Sequence, residues 1–161
     1  MELELIVARK KFPKRRRIAQ GARKRGTDKQ SSRYLEAARI ASDKFVEDFQ
    51  RRYDRKLDYN MDDVRILDRE LEKNYESNTL TREEIVQTGY YLGELLRRNV
   101  GGKYEFREDP GVLVLKCMDI AVFPILKVQK ALQEKRPGAL EAYAFLFAKK
   151  VSDKKAKKDE S

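Results

Sequence analysis

The chain has 161 residues, 40% of them apolar and 40% charged, with a formal net charge of +10. That length suits one domain with a real core, and a single cysteine, Cys117, rules out an intramolecular disulfide. Histidine is absent, which removes the commonest general base, the commonest metal ligand and every Ser-His or Cys-His nucleophile pair.

The opening MELELIV alternates apolar and acidic residues and supplies an edge strand at most. Acids ahead of a short apolar patch with a basic run behind it are in the wrong order for a secretory signal. The longest apolar run, Val112 to Leu126, is interrupted by Lys116 and Asp119 and is too short for a hydrocarbon layer of ~30 Å. The expectation is cytoplasmic residence without a membrane partner, or nuclear residence in a eukaryote, since KKFPKRRR also has the composition of an import signal.

Charge is concentrated at the start. Residues 1–30 hold eleven cations, Arg9, Lys10, Lys11, Lys14, Arg15, Arg16, Arg17, Arg23, Lys24, Arg25 and Lys29, against Glu2, Glu4 and Asp28, a net +8. Residues 151–161 contribute +1, which leaves +1 for everything between. With few apolar side chains, two glycines and a proline, this arm cannot bury enough surface to order itself alone, so a disordered basic arm over 1–30 is expected.

A first helix is predicted from Ser31 or Ser32 to about Leu57, with Tyr34, Ala38, Ala41, Phe45, Phe49 and Tyr53 on one face. A second, capped by Asp62 or Asn60, carries Val64, Leu67, Leu71 and Tyr75. The third, Arg82 to Arg98, has the strongest local signals. Thr81 and Glu84 form a capping box, Leu80 and Ile85 a hydrophobic staple, and Gly101 or Gly102 ends the helix. Gly89 and Gly93 lie one turn apart, each costing about 1 kcal/mol against alanine unless a backbone packs closely there. Close helix contact is therefore expected.

Beyond the double glycine, Tyr104 and Phe106 alternate with charged residues, Asp109-Pro110-Gly111 makes a turn, and VLVLKC follows as a second strand. Two strands alone are marginal, so Ile120 to Phe123 is a candidate third. Pro124 suits the first turn of a fourth helix using Ile125, Val128 and Leu132, closed by Arg136, Pro137 and Gly138. A fifth runs from about Ala139 to Val151 on Leu140, Tyr143, Ala144 and Phe147, and SDKKAKKDES reads as a solvated end.

Gly89, Leu92, Gly93 and Glu94 in G-x-x-LGE, then Gly101, Gly102 and Tyr104, an acidic turn, an apolar strand, and Phe123, Pro124 and Val128 follow one another over residues 80–148. This order resembles a family of small bacterial domains of unknown function, in which the aromatic after the glycines is usually tryptophan. The resemblance implies an α+β domain whose helix feeds a short antiparallel sheet. It implies no activity, and the first 60 residues lie outside it.

Candidates for chemistry are few. Cys117 ends an apolar strand and reads as a buried thiol, and no phosphate-binding glycine loop is present. Glu94 stands between apolar neighbours, and its simplest role is pairing with Arg97 or Arg98 at helical spacing. Asp119 most simply caps the segment after it. Asp62, Asp63, Asp68, Glu70 and Glu72 suit a helix start and lack the spacing of a calcium loop.

The reading is an α+β, mainly helical single domain at 31–151, with about five helices and a short antiparallel hairpin or three-stranded sheet, between the arm and a disordered lysine-rich tail at 152–161. The function expected is non-enzymatic, with no cofactor and no metal. Arg9, Lys10, Lys11, Lys14, Arg15, Arg16, Arg17, Arg23, Lys24 and Arg25 would contact nucleic acid, RNA ahead of DNA, anchoring the chain to structured RNA or a ribonucleoprotein particle while the body docks on a protein. The competing class is a protein-interaction adapter whose arm only localises it, and a third is an enzyme using Glu94 and Asp119. Oligomeric state is left open.

Overall fold

The computed structural model describes residues 23–161 apart from Pro110, with side chains from residue 29 onward. Five helices and three strands follow in the order α1 (Arg23–Tyr53), α2 (Asp63–Lys73), α3 (Arg82–Asn99), β1 (Lys103–Arg107), β2 (Val112–Cys117), β3 (Ile120–Val122), α4 (Pro124–Glu134) and α5 (Ala139–Asp159). The mainly helical α+β class expected from the sequence is what the chain adopts. No helix among the described residues is long and apolar enough to cross a membrane.

Helix α3 is the axis of the core. Every residue from Gln87 to Leu96 is buried, the condition of a helix enclosed on all sides rather than laid on a surface. Its start is fixed by the expected capping box: the Glu84 amide donates to Thr81 Oγ1 at 3.1 Å and the Thr81 amide to Glu84 Oε2 at 2.7 Å. Antiparallel to it lies α1, whose Arg52 reaches Glu84 near the start of α3 while Ser31 reaches Tyr104 beyond its end. Phe45 and Tyr91 bring their rings to 5.2 Å across that contact.

On another side α4 presses against the two glycines. A Cβ at Gly89 would lie 2.6 Å from the Ile125 Cα, and one at Gly93 would lie 2.9 Å from the Tyr104 hydroxyl and 3.4 Å from Pro124. The 2.6 and 2.9 Å distances are shorter than any van der Waals contact, so the expected close approach of a helix is present at Gly89, while at Gly93 the near neighbour is a side-chain hydroxyl of β1.

The sheet is antiparallel in the order β1-β2-β3, with Tyr104 opposite Leu115 and Leu115 opposite Val122. Its middle strand, β2, is buried from Val112 to Leu115, and this explains why its sequence is continuously apolar instead of alternating. Gly101 and Gly102 take positive φ of 106° and 120° and turn α3 into β1.

Helices α2 and α5 are joined by a buried carboxylate. Asp68 accepts the Leu140 amide at 3.0 Å and the Glu141 amide at 2.8 Å, which caps α5 from a neighbouring helix. Burial pushes the Asp68 carboxyl above its ordinary value, and these two amides oppose the shift.

Helix boundaries differ from expectation: α1 ends at Tyr53 rather than near Leu57, and α2 ends at Lys73, short of Tyr75. α1 already runs through Arg23, the first described residue, rather than starting at the serines, whose Ser31 hydroxyl donates to the Tyr104 carbonyl instead of capping a helix. Good helix formers on either side carry the helix through. α5 continues to Asp159 where a disordered tail was expected, since lysines near a helix C-terminus complement its dipole. Tyr53 is 41% exposed and leans on Phe49, so the apolar stripe of α1 ends one turn early. Residues 1–22 of the expected arm lie outside the described residues.

Two predictions follow from α3. Gly89→Ala is expected to lower stability by about 1–3 kcal/mol despite the gain in helix propensity, because Ile125 meets it with backbone. Gly93→Ala should cost less, since the obstructing Tyr104 hydroxyl ends a side chain, and Gly93→Leu should cost more; urea unfolding measures all three. The second concerns pH. The Thr81 amide and Arg52 hold Glu84 below its ordinary 4.5, so the carboxylate's contribution is complete above that value and disappears as pH falls through the lowered one. Glu84→Gln is expected to cost about 1 kcal/mol at neutral pH, with the gap from the parent chain closing in acid.

Candidate functional site

The carboxylate singled out in the sequence sits at the most constrained point of the fold. Glu94 is wholly buried on α3, directly after the glycine that makes room for Tyr104. A buried carboxylate must be paired to be tolerated. Arg97 supplies a two-point contact, Nε to Oε1 at 2.8 Å and Nη2 to Oε2 at 3.2 Å, and Arg98 Nε donates to Oε2 at 3.4 Å. The expected pairing is therefore made with both arginines at once. Hydrogen bonding to Glu94 raises the Arg97 pKa further above its ordinary value.

Arg98 is fixed on a second side, with its guanidinium carbon 3.6 Å from the centre of the Tyr59 ring, a cation–π stack. Tyr59 is itself held at φ 57° in the loop between α1 and α2. Its amide donates to the Tyr91 hydroxyl at 3.1 Å, and its carbonyl accepts from Asn99 Nδ2 at 2.7 Å. Its hydroxyl donates to Asp43 at 2.7 Å. Tyr91 in turn donates to Asp63 at 2.7 Å, and Asp63 accepts the Asp58 amide at 2.9 Å. Burial pushes the Tyr59 phenol up to about 12, so it stays a neutral donor at physiological pH.

Tyr104 completes the cluster from β1. Its hydroxyl is buried near Glu94 and makes no well-aligned hydrogen bond. Burial first, then the charge of Glu94, raises its pKa far above the ordinary value. Chemically the arrangement does one thing well. With both Glu94 oxygens occupied, the acid works as an anchor that holds two guanidiniums side by side at the end of α3. Among the described residues, Nη1 of Arg97 and both Nη atoms of Arg98 make no hydrogen bond, and the two side chains are 27% and 37% exposed.

Other candidates fall elsewhere. Arg9, Lys10, Lys11, Lys14, Arg15, Arg16 and Arg17 lie outside the described residues. Arg23, Lys24 and Arg25 are on the first turn of α1, which contains no acid. Asp119 is exposed between β2 and β3 and pairs with Lys154 of α5, a contact that lowers its pKa; its partner is a distant helix rather than the segment it was expected to cap. Glu94 and Asp119 thus serve separate ion pairs. Cys117 is buried and free. Among the described residues no cluster of His, Cys, Asp or Glu could hold a metal ion, and Asp63 and Asp68 are both spent on backbone amides.

Sequence reasoning missed the Tyr59, Tyr91 and Asp63 chain, which joins residues 28 and 32 positions apart. It also missed the groove between α2 and α5, about 460 Å³ in volume and lined by Met61, Val64, Arg65, Glu141 and Phe145. Phe145 is 64% and Leu146 53% exposed, and an apolar residue on the outer turn of α5 was the available signal. No protein-family model, curated protein or solved structure matches the chain.

The cluster predicts opposite results for two substitutions. Tyr104→Phe removes a buried hydroxyl without a partner and should leave stability unchanged or raise it by up to about 1 kcal/mol. Arg97→Ala strips the two-point partner from a buried carboxylate and should cost about 3 kcal/mol. Thermal unfolding of the two variants beside the parent chain tests the pair.

Proposed function

We propose that the protein is a non-enzymatic nucleic-acid-associated protein, anchored through its basic N-terminal arm to structured RNA or a ribonucleoprotein particle. The observation that carries this reading is the segregation of charge: a net +8 in residues 1–30 on a chain whose central residues sum to +1. A uniformly basic surface would serve solubility alone, whereas a local run of cations releases counterions when it lies along a phosphate backbone. The last of these cations belong to α1, a helix of 31 residues that continues into the core. Phosphates gripped there would be coupled to the body through continuous helix instead of a loose tether.

Docking of the body on a protein is the second half of the proposal. It is supported by Phe145, which lines the α2–α5 groove and is 64% exposed, a large apolar side chain open to solvent at the edge of a groove. The adapter reading, with the arm as a localisation signal, uses this surface and dispenses with nucleic acid.

Affinity for RNA is expected to be chiefly electrostatic. With about six arm cations on phosphates, log affinity should fall against log salt with a slope of roughly −4 to −5. Replacing Lys14, Arg15, Arg16 and Arg17 together by alanine should flatten that slope by about three and weaken binding to all sequences alike. Unchanged binding by this variant in a filter or anisotropy titration would remove the arm from the interface, and the absence of any binding at low salt would leave the adapter.

A further inference from the structure

We propose that Arg97 and Arg98 form a phosphate-binding site on the body, taking a backbone phosphate of the same nucleic acid that the arm engages; this rests on the function proposed above. Two arginines in the last turn of a helix offset its negative end, but that role needs only a cation in the neighbourhood. Here both side chains are restrained well beyond it. Glu94, buried completely, holds Arg97 by two nitrogens and Arg98 by one, and Tyr59 stacks on the Arg98 plane at 3.6 Å. Among the described residues Nη1 of Arg97 and both Nη atoms of Arg98 make no hydrogen bond, and the side chains remain 27% and 37% exposed. A planar fork with fixed orientation matches the oxygens of a phosphate in pairs, which a mobile ammonium does not.

Charge and position agree with this. Glu94, Arg97 and Arg98 together carry +1, and Lys155 adds another cation where its Nζ approaches the Val100 carbonyl at 3.4 Å, just past the end of α3. Asp43, the acid on the far side of Tyr59, is engaged by the tyrosine hydroxyl at the opposite end of the ring from its backbone clamp. Helix α1 connects the cluster to the arm. Ser31 of α1 bonds the carbonyl of Tyr104, whose side chain reaches Glu94, and Arg23 is eight residues upstream of that serine, about 12 Å along a helix. A strand held at Arg23 would extend about 30 Å along α1 to meet the arginine pair, since the Tyr59 that stacks on Arg98 bonds Asp43, twenty residues further on.

The test uses the full-length chain and an oligouridylate probe. Arg97→Lys/Arg98→Lys keeps both charges and a partner for Glu94, so the fold should survive, with an unchanged circular dichroism spectrum as the control. This variant is expected to bind about tenfold more weakly, the equivalent of one charge-assisted hydrogen bond, with the salt slope unaltered. In the parent chain the Arg97 and Arg98 Nε–H resonances should shift on titration with the probe, which a purely structural pair would not do. Unmoved resonances together with unchanged affinity of the lysine variant would overturn the site, and the alanine arm variant would then still lose binding, leaving the arm reading intact. If the arm variant bound normally while the lysine variant did not, the arm would fail and the site would stand. No binding by the parent chain would overturn both.

Discussion

The contact on which the architecture depends is the one between the backbone of α3 and helix α4. At Gly89 the Ile125 backbone lies where a Cβ would go, at 2.6 Å, and this determines how near α4 approaches and hence where the segment from β3 into α4 begins. One turn later Gly93 makes room for the end of the Tyr104 side chain, its hydroxyl, with Pro124 in ordinary contact beside it. A methyl group at either position would push apart elements that come from opposite ends of a stretch of 37 residues, Gly89 to Ile125. Interiors packed this densely transmit such displacements instead of absorbing them. The sheet is subject to the same constraint, because β1 is positioned by Tyr104 on one side and by the Ser31 contact on the other.

Close packing at Gly93 places the next residue, Glu94, where water cannot reach it, and the fold must then compensate a charge in its interior. It does so from within α3, with partners three and four residues ahead. That solution is local and asks nothing of distant elements. The price is that two arginines lose their freedom, and the loop carrying Tyr59 is drawn onto the end of α3 to cover one of them. The clamp on Tyr59 draws on Tyr91, Asn99, Ser42 and Asp43, so the restraint on a single guanidinium extends through α1, α3 and the intervening loop. Buried polar groups linked in this manner give a core one arrangement in place of several.

Features that depend on neighbours along the chain were legible in the sequence. The capping box of Thr81 and Glu84, Pro124 at the first turn of α4, the hairpin with its third strand and the close-packed glycines all stand where residue spacing puts them. Features that depend on what a side chain meets across the fold were not. Ser31 and Ser32 resemble a helix start by composition, but Ser31 is occupied by a strand carbonyl 73 residues away. Asp68 looks like another acid in a charged helix and instead caps α5 from the side. For Glu94 the helical spacing gave the arginines, whereas the Tyr59 stack and the silent Tyr104 hydroxyl come from a loop and a strand that no local period connects to α3.

The cations of the described residues differ in how rigidly they are held. Cations in a flexible segment bind phosphate with an ordering cost for each side chain and for the backbone that carries it. Those in α1 from Arg23 onward have a backbone already fixed by the helix, and Arg97 and Arg98 have side chains already fixed by Glu94 and Tyr59. Helical cations and clamped guanidiniums therefore differ in how far each is preorganised. A polyanion that engaged both would be oriented most by the groups that move least. Long-range capture needs charge and tolerates disorder, while orientation needs geometry and tolerates little of it. A body with a nearly neutral centre suits that division, since attraction spread evenly over its surface would hold the same polymer in many registers instead of one.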